Sequence, residues 1–417
     1  MTSDTESLLS GLRTRLPSPL PPRLGVAISG GSDSTALLHL LARVAGDEGI
    51  RLFAATVDHG LRPEAGDEAA RVAALCEQMN IPHTILEWRD WDGSGNLQDQ
   101  ARRARYQLLR GWAAERGIAA IALGHTADDQ AETVLMRLAR AAGVTGLSAM
   151  PVMRDMGGVA LYRPLLFATR ADLRAYLDKE GVGWAEDPSN QDRRYDRIKA
   201  RQALAGLSEL GITAESLTRV AENMAQADQA LQRYAREMAQ SLAAQHAGSI
   251  QLDRAGFAAA PPEIQRRLVV GFVRWIAGGG YPPRQATVAR AVTAIAAGQT
   301  AVIGGCQIVP SGKFAWICRE LNAVSGQVAR PGDIWDGRWI LRGPSADDAQ
   351  VRALGEAGLK QLPDWRALGL PRVALTSTPA VWRGDHLLSA PLAGLANGWV
   401  AEIVPARAQV WAAFLSH

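Results

Sequence analysis

The stretch Ser29-Gly30-Gly31-Ser32-Asp33-Ser34 decides how this chain folds. The apolar run Leu24-Gly25-Val26-Ala27-Ile28 leads into it, and Ala36, Leu37, Leu40, Leu41 and Val44 leave it at helical spacing. That pattern reads as strand, tight turn, helix. Gly30 and Gly31 admit positive φ and let a ligand approach the backbone closely. The N–H groups of the turn and of the helix N-terminus then face one point, which suits a phosphate or pyrophosphate. Ser29, Ser32 and Ser34 add hydroxyl donors. Asp33 stands apart, because a carboxylate beside phosphates repels them unless a cation intervenes. It reads as a Mg²⁺ ligand whose shell phosphate oxygens complete. The loop lacks the G-x-x-x-x-G-K-[ST] spacing and the lysine of a Walker loop. A plain βα turn capped by Ser and Asp is the competing reading.

Two further strand ends point the same way. Residues 52–57 read as a buried strand at βαβ spacing from the first, ending at Asp58-His59-Gly60-Leu61-Arg62. In an open parallel sheet ligands sit beyond the carboxyl ends of the strands, so Asp58 is a candidate for adenine or ribose, with a strand-end turn as the alternative. Residues 118–123 form a third buried strand, followed by Gly124-His125-Thr126-Ala127-Asp128-Asp129-Gln130-Ala131-Glu132-Thr133. Thr126 with Asp129 matches a capping box. That accounts less well for Glu132, one turn on and on the same face as Asp129. A carboxylate pair there suits a metal ion or an ammonium group.

Basic residues cluster twice. A helix expected over 97–116 sets Arg102 and Arg105 on one face beside Tyr106, either a phosphate clamp or a solvated basic face. The turn at 186–190 runs into Arg193, Arg194, Arg197, Lys199 and Arg201, the densest basic patch and the best local candidate for RNA phosphates. A net charge of +3 over 417 residues leaves any RNA contact to such a local patch.

With 47% apolar and 21% charged residues, the composition is that of a soluble globular protein of two or three domains. No apolar run reaches about 18 residues, so no membrane span is expected, and the N-terminus does not read as a signal peptide. Cys76, Cys306 and Cys318 are far apart and form no C-x-x-C, which fits a reducing cytoplasm and buried structural thiols. The fold class read from these patterns is α/β. Residues 1–205 form a doubly wound parallel, Rossmann-like sheet domain. Residues 206–329 form a mostly helical domain with a long helical pattern over 213–246 and a hairpin around Pro310-Ser311-Gly312. Residues 330–417 form a small α+β domain in which Trp335, Trp339, Trp382 and Trp399 read as core.

The loop resembles that of the N-type ATP pyrophosphatases, the PP-loop family, which cleave ATP between the α and β phosphates and adenylate a carbonyl oxygen. Taken together, the motifs over 24–201 resemble the tRNA(Ile)-lysidine synthetase family. They include the loop itself, Val57 to Arg62, Ala101-Arg102, Arg105-Tyr106, Gly124 to Thr133, Gly143 to Leu147 and Asp187 to Asn190. Arg330-Pro331-Gly332-Asp333 and Leu387 to Pro391 are similar to that family's last domain. The resemblance implies ATP-dependent ligation of lysine to C2 of the wobble cytidine in the CAU-anticodon tRNA(Ile), through an adenylated cytidine, with AMP and pyrophosphate released. It implies ATP and Mg²⁺ as cofactors, tRNA(Ile) and free L-lysine as partners, a possible homodimer and a cytoplasmic location. Carried over by position, ATP binding falls to Ser29, Gly30, Gly31, Ser32, Asp33, Ser34 and Asp58. Metal binding falls to Asp33 and Asp129, and lysine binding to Asp129 and Glu132. Catalysis falls to Asp33, Arg105, His125, Asp129 and Glu132, and tRNA binding to Arg193, Arg194, Arg197, Lys199 and Arg201.

There are departures. Residues 355–366 carry only Lys360 and Arg366 where the family has a lysine-rich segment, and Tyr195-Asp196-Arg197 interrupts its Arg-Asn pattern. Two rival functions are another adenylating PP-loop enzyme, such as a tRNA thiolase with its reactive cysteines, and a non-catalytic nucleotide- or RNA-binding module.

Overall fold

The computed structural model describes residues 5–60, 65–89, 97–185, 196–278, 283–346 and 348–414. It divides into two compact units, Met1–Asp228 and Gln229–His417. In chain order the first holds α1 (Thr5–Arg13), β1 (Arg23–Ala27), α2 (Ser32–Glu48), β2 (Arg51–Asp58), α3 (Ala65–Gln78), β3 (His83–Glu87) and α4 (Leu97–Glu115). These are followed by β4 (Ala120–Leu123), α5 (Ala127–Leu138), α6 (Val144–Leu147), β5 (Met153–Asp155), β6 (Ala160–Tyr162), α7 (Arg170–Glu180) and α8 (Asp196–Leu207). The long α9 (Ala214–Leu242) starts in this unit and ends in the next.

The sheet order is β3-β2-β1-β4-β6-β5. Every pair is parallel except β5 with β6. From β1 the chain steps outward through β2 to β3, then returns to lay β4 on the other side of β1. That reversal opens a crevice beyond the carboxyl ends of β1 and β4. Successive side chains of a strand point to opposite faces, and both faces of this sheet are apolar. Leu24, Val26, Leu52, Ala54, Ala120 and Ala122 face α1, α2, α3 and α7. Ala27, Phe53, Ala55, Ile121 and Leu123 face Leu109, Trp112 and Ala113 of α4. Gly25 belongs to the second face, where a Cβ would come within 2.9 Å of the Trp112 ring. The doubly wound architecture expected from the strand-turn-helix pattern is therefore present. β6 is a short strand, Ala160–Tyr162, paired parallel with β4. Its partner β5 went unread because its three residues are all exposed and carry no apolar alternation.

The second unit corrects the expected helix over 213–246. The helix stops at Leu242, and β7 (Ala243–His246) turns back antiparallel onto β8 (Ser249–Asp253). The two turn residues, Ala247 and Gly248, have φ of 46° and 75°. Tight hairpins need positive φ there, and Ala-Gly is a weaker sequence signal for it than Asn-Gly. Next come α10 (Arg254–Ala259), α11 (Pro262–Ala277), α12 (Gln285–Ala297), β9 (Ala301–Ile303), β10 (Cys306–Ser311) and β11 (Phe314–Arg319). The expected hairpin is β10 with β11, part of a five-stranded sheet ordered β7-β8-β11-β10-β9. The region beyond residue 206 is thus β-rich as well as helical. The chain closes with β12 (Ile334–Trp335), β13 (Trp339–Arg342), β14 (Gln350–Ala353), α13 (Gly355–Lys360), α14 (Arg372–Thr376), β15 (Pro379–Arg383), β16 (His386–Ser389) and β17 (Val400–Ile403). These strands form two three-stranded sheets, β12-β13-β17 and β14-β15-β16. Trp335, Trp339, Trp382 and Trp399 are buried, as core tryptophans are.

Gly25→Val sets a side chain against the Trp112 ring. It is expected to lower unfolding stability by about 1–3 kcal/mol through overpacking, read as a reduced urea midpoint. An unchanged midpoint would contradict the close contact between β1 and α4.

Candidate active site

The glycine-rich loop leaves β1 and enters the first turn of α2. Gly30 has φ +85°, in the left-handed region. Ser34 Oγ takes the Ser29 N–H at 3.1 Å and donates to the Gly31 carbonyl at 3.1 Å, which closes the turn on itself. Gly31 caps α2 with no side-chain hydrogen bond. An α-helix has no intrahelical partners for its first N–H groups, so the N-terminus of α2 is a polar, positive end next to the loop. Asp33 lies in this first turn, with Oδ1 accepting from Ser32 Oγ at 3.1 Å.

Across the crevice, β4 runs into α5. The capping box is real: the Thr126 N–H donates to Asp129 Oδ2 at 2.9 Å, and the Asp129 N–H to Thr126 Oγ1 at 3.4 Å. Capping uses one face of Asp129 only. Its other oxygen, Oδ1, accepts from Arg170 Nη2 at 2.7 Å. The same guanidinium reaches Asp33 Oδ2 through Nε at 3.1 Å and Glu132 Oε1 through Nη1 at 3.0 Å. Glu132, only 1% exposed, also takes Arg201 Nε on Oε1 at 2.8 Å. Its other oxygen, Oε2, is buried and has no hydrogen-bond partner among the described residues. Asp33, Asp129 and Glu132, expected to act together, are thus gathered at the crevice between β1 and β4.

The two aspartates do not titrate alike. Burial raises the Asp33 pKa, and the Asp129 charge adds to that against the pull of Arg170. For Asp129, burial is outweighed by Arg170, His125 and the Thr126 N–H, so its pKa falls. The Arg170 pKa rises despite burial, because Asp129, Glu132 and Asp33 hold its charge. Asp128 is no part of this trio. It caps the start of α7 by accepting the Arg170 backbone N–H at 2.8 Å.

His125 is held neutral. Burial lowers its pKa to about 3, with Arg163, Arg105 and Arg197 adding and Asp129 opposing. Its Nδ1 is buried without a partner among the described residues. Arg105 is half-buried on α4, its pKa lowered by burial. Arg102 lies over the Tyr106 ring at 5.4 Å. Burial would raise the Tyr106 pKa, but Arg102, Arg163 and Arg105 bring it down. The result is a strongly cationic wall beside an uncharged imidazole.

Other expected residues separate. Asp58 ends β2 and folds Oδ1 onto the Gly60 N–H at 2.8 Å, the turn geometry. The basic run does not form one outward face. Arg201 turns inward to Glu132, Arg197 lies near enough to His125 and Asp129 to shift both, and Lys199 is exposed and paired with Asp196 at 3.3 Å. Arg193 and Arg194 lie outside the described residues. Sequence reading missed Arg170 and Arg163. Each is a lone arginine near a helix or strand end, and nothing local separates it from the other basic residues. Gln130 was missed as well. Its amide clamps Met150 in both directions, Nε2 to the carbonyl at 2.9 Å and Oε1 from the N–H at 2.8 Å.

The PP-loop domain family matches residues 10–207. A tRNA(Ile)-lysidine synthase of Ruegeria pomeroyi is 52% identical over 417 residues, covering 100% of both chains. The chain belongs to the tRNA(Ile)-lysidine synthase family. Another relative of that name, from Methylobacterium sp., is 41% identical over 66% of this chain and 81% of its own. A solved U34-tRNA thiolase from Methanococcus maripaludis is far more distant, at 19% identity and TM-score 0.46 over 52% of this chain and 78% of that one, and carries no argument.

Membership in the lysidine synthase family makes this an ATP-binding enzyme of the PP-loop type. The thiols of Cys76, Cys306 and Cys318 are buried and pushed up to about 11, 12 and 12, so none supplies the reactive thiolate that the thiolase rival needs. Among the described residues no helix is long and apolar enough to cross a membrane.

The low His125 pKa has a consequence for stability. Below pH 6.5 the unfolded chain binds a proton on this residue that the folded protein refuses down to about 3. Stability therefore falls as pH drops, by at most about 1.4 kcal/mol per pH unit from this group. His39, His59 and His83 have lowered pKa values too and contribute the same sign. His125→Gln is expected to flatten the stability–pH slope between pH 5 and 6.5 measured by urea melts. An unchanged slope would show that His125 is not held neutral.

Proposed function

We propose that this protein joins L-lysine to C2 of the wobble cytidine in CAU-anticodon tRNA(Ile) in two steps at one site. First, the cytidine C2 oxygen attacks the α-phosphate of ATP and pyrophosphate leaves. Second, the lysine ε-amine attacks C2 and AMP leaves. The observation that carries this reading is the gathering of Asp33, from the phosphate loop, with Asp129 and Glu132, from the end of β4, around one cationic point.

The residues divide the work by charge. The loop from Ser29 to Ser34 and the N-terminus of α2 receive the departing pyrophosphate. Asp33 and Asp129 supply the hard oxygen donors that Mg²⁺ takes. No three Asp, Glu, His or Cys among the described residues come close enough to hold an ion alone, so phosphate oxygens are needed to complete the shell. Held there, Mg²⁺ would supply positive charge against the leaving pyrophosphate. Arg105 faces charge building on the α-phosphate. His125, uncharged, offers an imidazole to donate to the α-phosphate or to relay a proton.

Glu132 and Asp129 orient the lysine amine. The buried, unpartnered Oε2 of Glu132 is a place for an ammonium N–H. Free lysine has a pKa of about 10.4, so only about one molecule in 2,500 is neutral at pH 7, a cost of roughly 4.6 kcal/mol. Nearby carboxylates raise that pKa further. Their task is therefore position, and the proton must leave to another group. Asp58 is assigned to the nucleoside end of ATP.

Arg193, Arg194, Arg197, Lys199 and Arg201 are assigned to the tRNA, with residues 206–329 as its binding domain and 330–417 as a separate small domain. A homodimer and a cytoplasmic location complete the reading.

The test uses labelled lysine, Mg-ATP and an unmodified CAU-anticodon transcript. Lysine incorporation is expected, and it should vanish with a wobble C→U transcript. Asp33→Asn should lose pyrophosphate release and lysine incorporation together. Glu132→Gln should keep pyrophosphate release and lose lysine incorporation by about 100-fold through mispositioning of the amine. Pyrophosphate release without any lysine incorporation by the unaltered protein would show the wrong nucleophile.

A further inference from the structure

Arg170 has a place that the two-step scheme does not use. All three of its guanidinium nitrogens meet carboxylates: Nε meets Asp33 at 3.1 Å, Nη1 meets Glu132 at 3.0 Å and Nη2 meets Asp129 at 2.7 Å. Its side chain is about four-fifths buried, at 19% exposure. The backbone under it is fixed on both sides. Its N–H is bound to Asp128, and Thr169 just before it makes a capping box with Asp172 at the start of α7. A permanent, tethered cation therefore sits where a metal ion shared by Asp33 and Asp129 would have to sit.

We propose that Arg170 is a positioning residue that bars free divalent cations from the carboxylate cluster and yields its place only to a cation arriving with nucleotide. The inference rests on the reading of Asp33 and Asp129 as metal ligands. A free divalent ion would have to break three ion pairs of one partly buried guanidinium and would gain only carboxylates that, among the described residues, do not make an ion site on their own. ATP changes both sides of that exchange. Its phosphates complete the metal's shell, and they give the guanidinium a forked anionic partner to turn to. Metal entry is thereby coupled to nucleotide entry.

The cluster is also built to survive the exchange. Asp129 keeps its capping bonds with Thr126, Glu132 keeps Arg201, and Asp33 keeps Ser32 Oγ. A residue serving only as a brace between α2, α5 and α7 would change the melting temperature when replaced, but would leave the affinity for a divalent ion as it was.

The experiment is a Mn²⁺ titration of the full-length protein followed by electron paramagnetic resonance, with and without a non-hydrolysable ATP analogue. Unaltered protein should bind Mn²⁺ with the analogue and bind it far more weakly alone. Arg170→Met should bind Mn²⁺ without nucleotide roughly ten-fold or more tighter than the unaltered protein, because a repelling charge has gone. Adding Asp33→Asn to that variant should remove the gain, and Arg170→Lys should behave like the unaltered protein. Arg170→Gln, which keeps hydrogen-bonding capacity without the charge, replaces Arg170→Met where that variant fails to fold. A folded Arg170→Met or Arg170→Gln protein with unaltered Mn²⁺ affinity overturns the inference. The metal reading still stands in that case if Asp33→Asn abolishes analogue-dependent Mn²⁺ binding. Analogue-dependent binding that is absent, or indifferent to Asp33→Asn, overturns both.

Discussion

Everything at this site depends on how closely β4 approaches the first turn of α2. At Gly124, where β4 has just ended, a Cβ would lie 2.9 Å from Ser34 Cα and 3.0 Å from the Asp33 carbonyl. Only a residue without a side chain lets the two segments touch there. The contact follows from the parallel pairing of β1 with β4, which sets Ala27 beside Leu123 and sends both chains out of the sheet together. One exit becomes the phosphate loop, and the other carries His125, Asp129 and Glu132. The proposed reaction, which needs an activated phosphate and an amine side by side, would rest on this one adjacency.

Charge is arranged with the same economy of place. Three acids and two arginines, Arg170 and Arg201, form a compact, mostly buried network in which every pairing is within 3.1 Å. Groups of one chemical type are driven apart by their surroundings: the Asp33 pKa rises while the Asp129 pKa falls. Such separation of neighbouring carboxylates is how one site can hold groups for different roles. Next to it, burial holds His125 uncharged, with Arg163, Arg105 and Arg197 adding, so this wall is positive without an imidazolium. Volume is a poor guide to this place. An open cleft of about 790 Å³ in the second unit, lined by Arg330, Arg342 and Trp399 among others, has no such convergence of acids and bases.

The sequence made the first unit legible because its signals are local. Leu24 to Ser34 spells strand, turn and helix in one pass, and Thr126 with Asp129 spells a cap that the structure contains. Asp33 and Glu132 were readable because each exceeds what its own element needs, an acid in a turn suited to phosphate and an acid one turn beyond a cap, and Asp129 because it shares a face with Glu132. Arg170 was not readable. Its meaning comes from partners 137, 41 and 38 residues away, and only the sheet order brings them together. Arg197 and Arg201 were legible as basic residues but not as inward-facing ones, since α8 shows little apolar face to set its orientation: only Ile198 and Ala200 are buried. In the second unit the missed strand β7 continues directly from a long amphipathic helix, and its Ala-Gly turn carries a weak signal.

The central claim is that adenylation and lysine transfer occur in one site, without release of the adenylated tRNA between them. A pulse–chase test addresses it most directly. The enzyme is mixed with transcript and ATP labelled at the α-phosphate, without lysine, and then chased with lysine and a large excess of unlabelled ATP. The account predicts that the label held on the tRNA leaves as AMP in step with lysine incorporation, with no dilution by the unlabelled ATP. Label that exchanges away before lysine is incorporated, or lysine incorporation that waits on the new ATP, would contradict a single shared site.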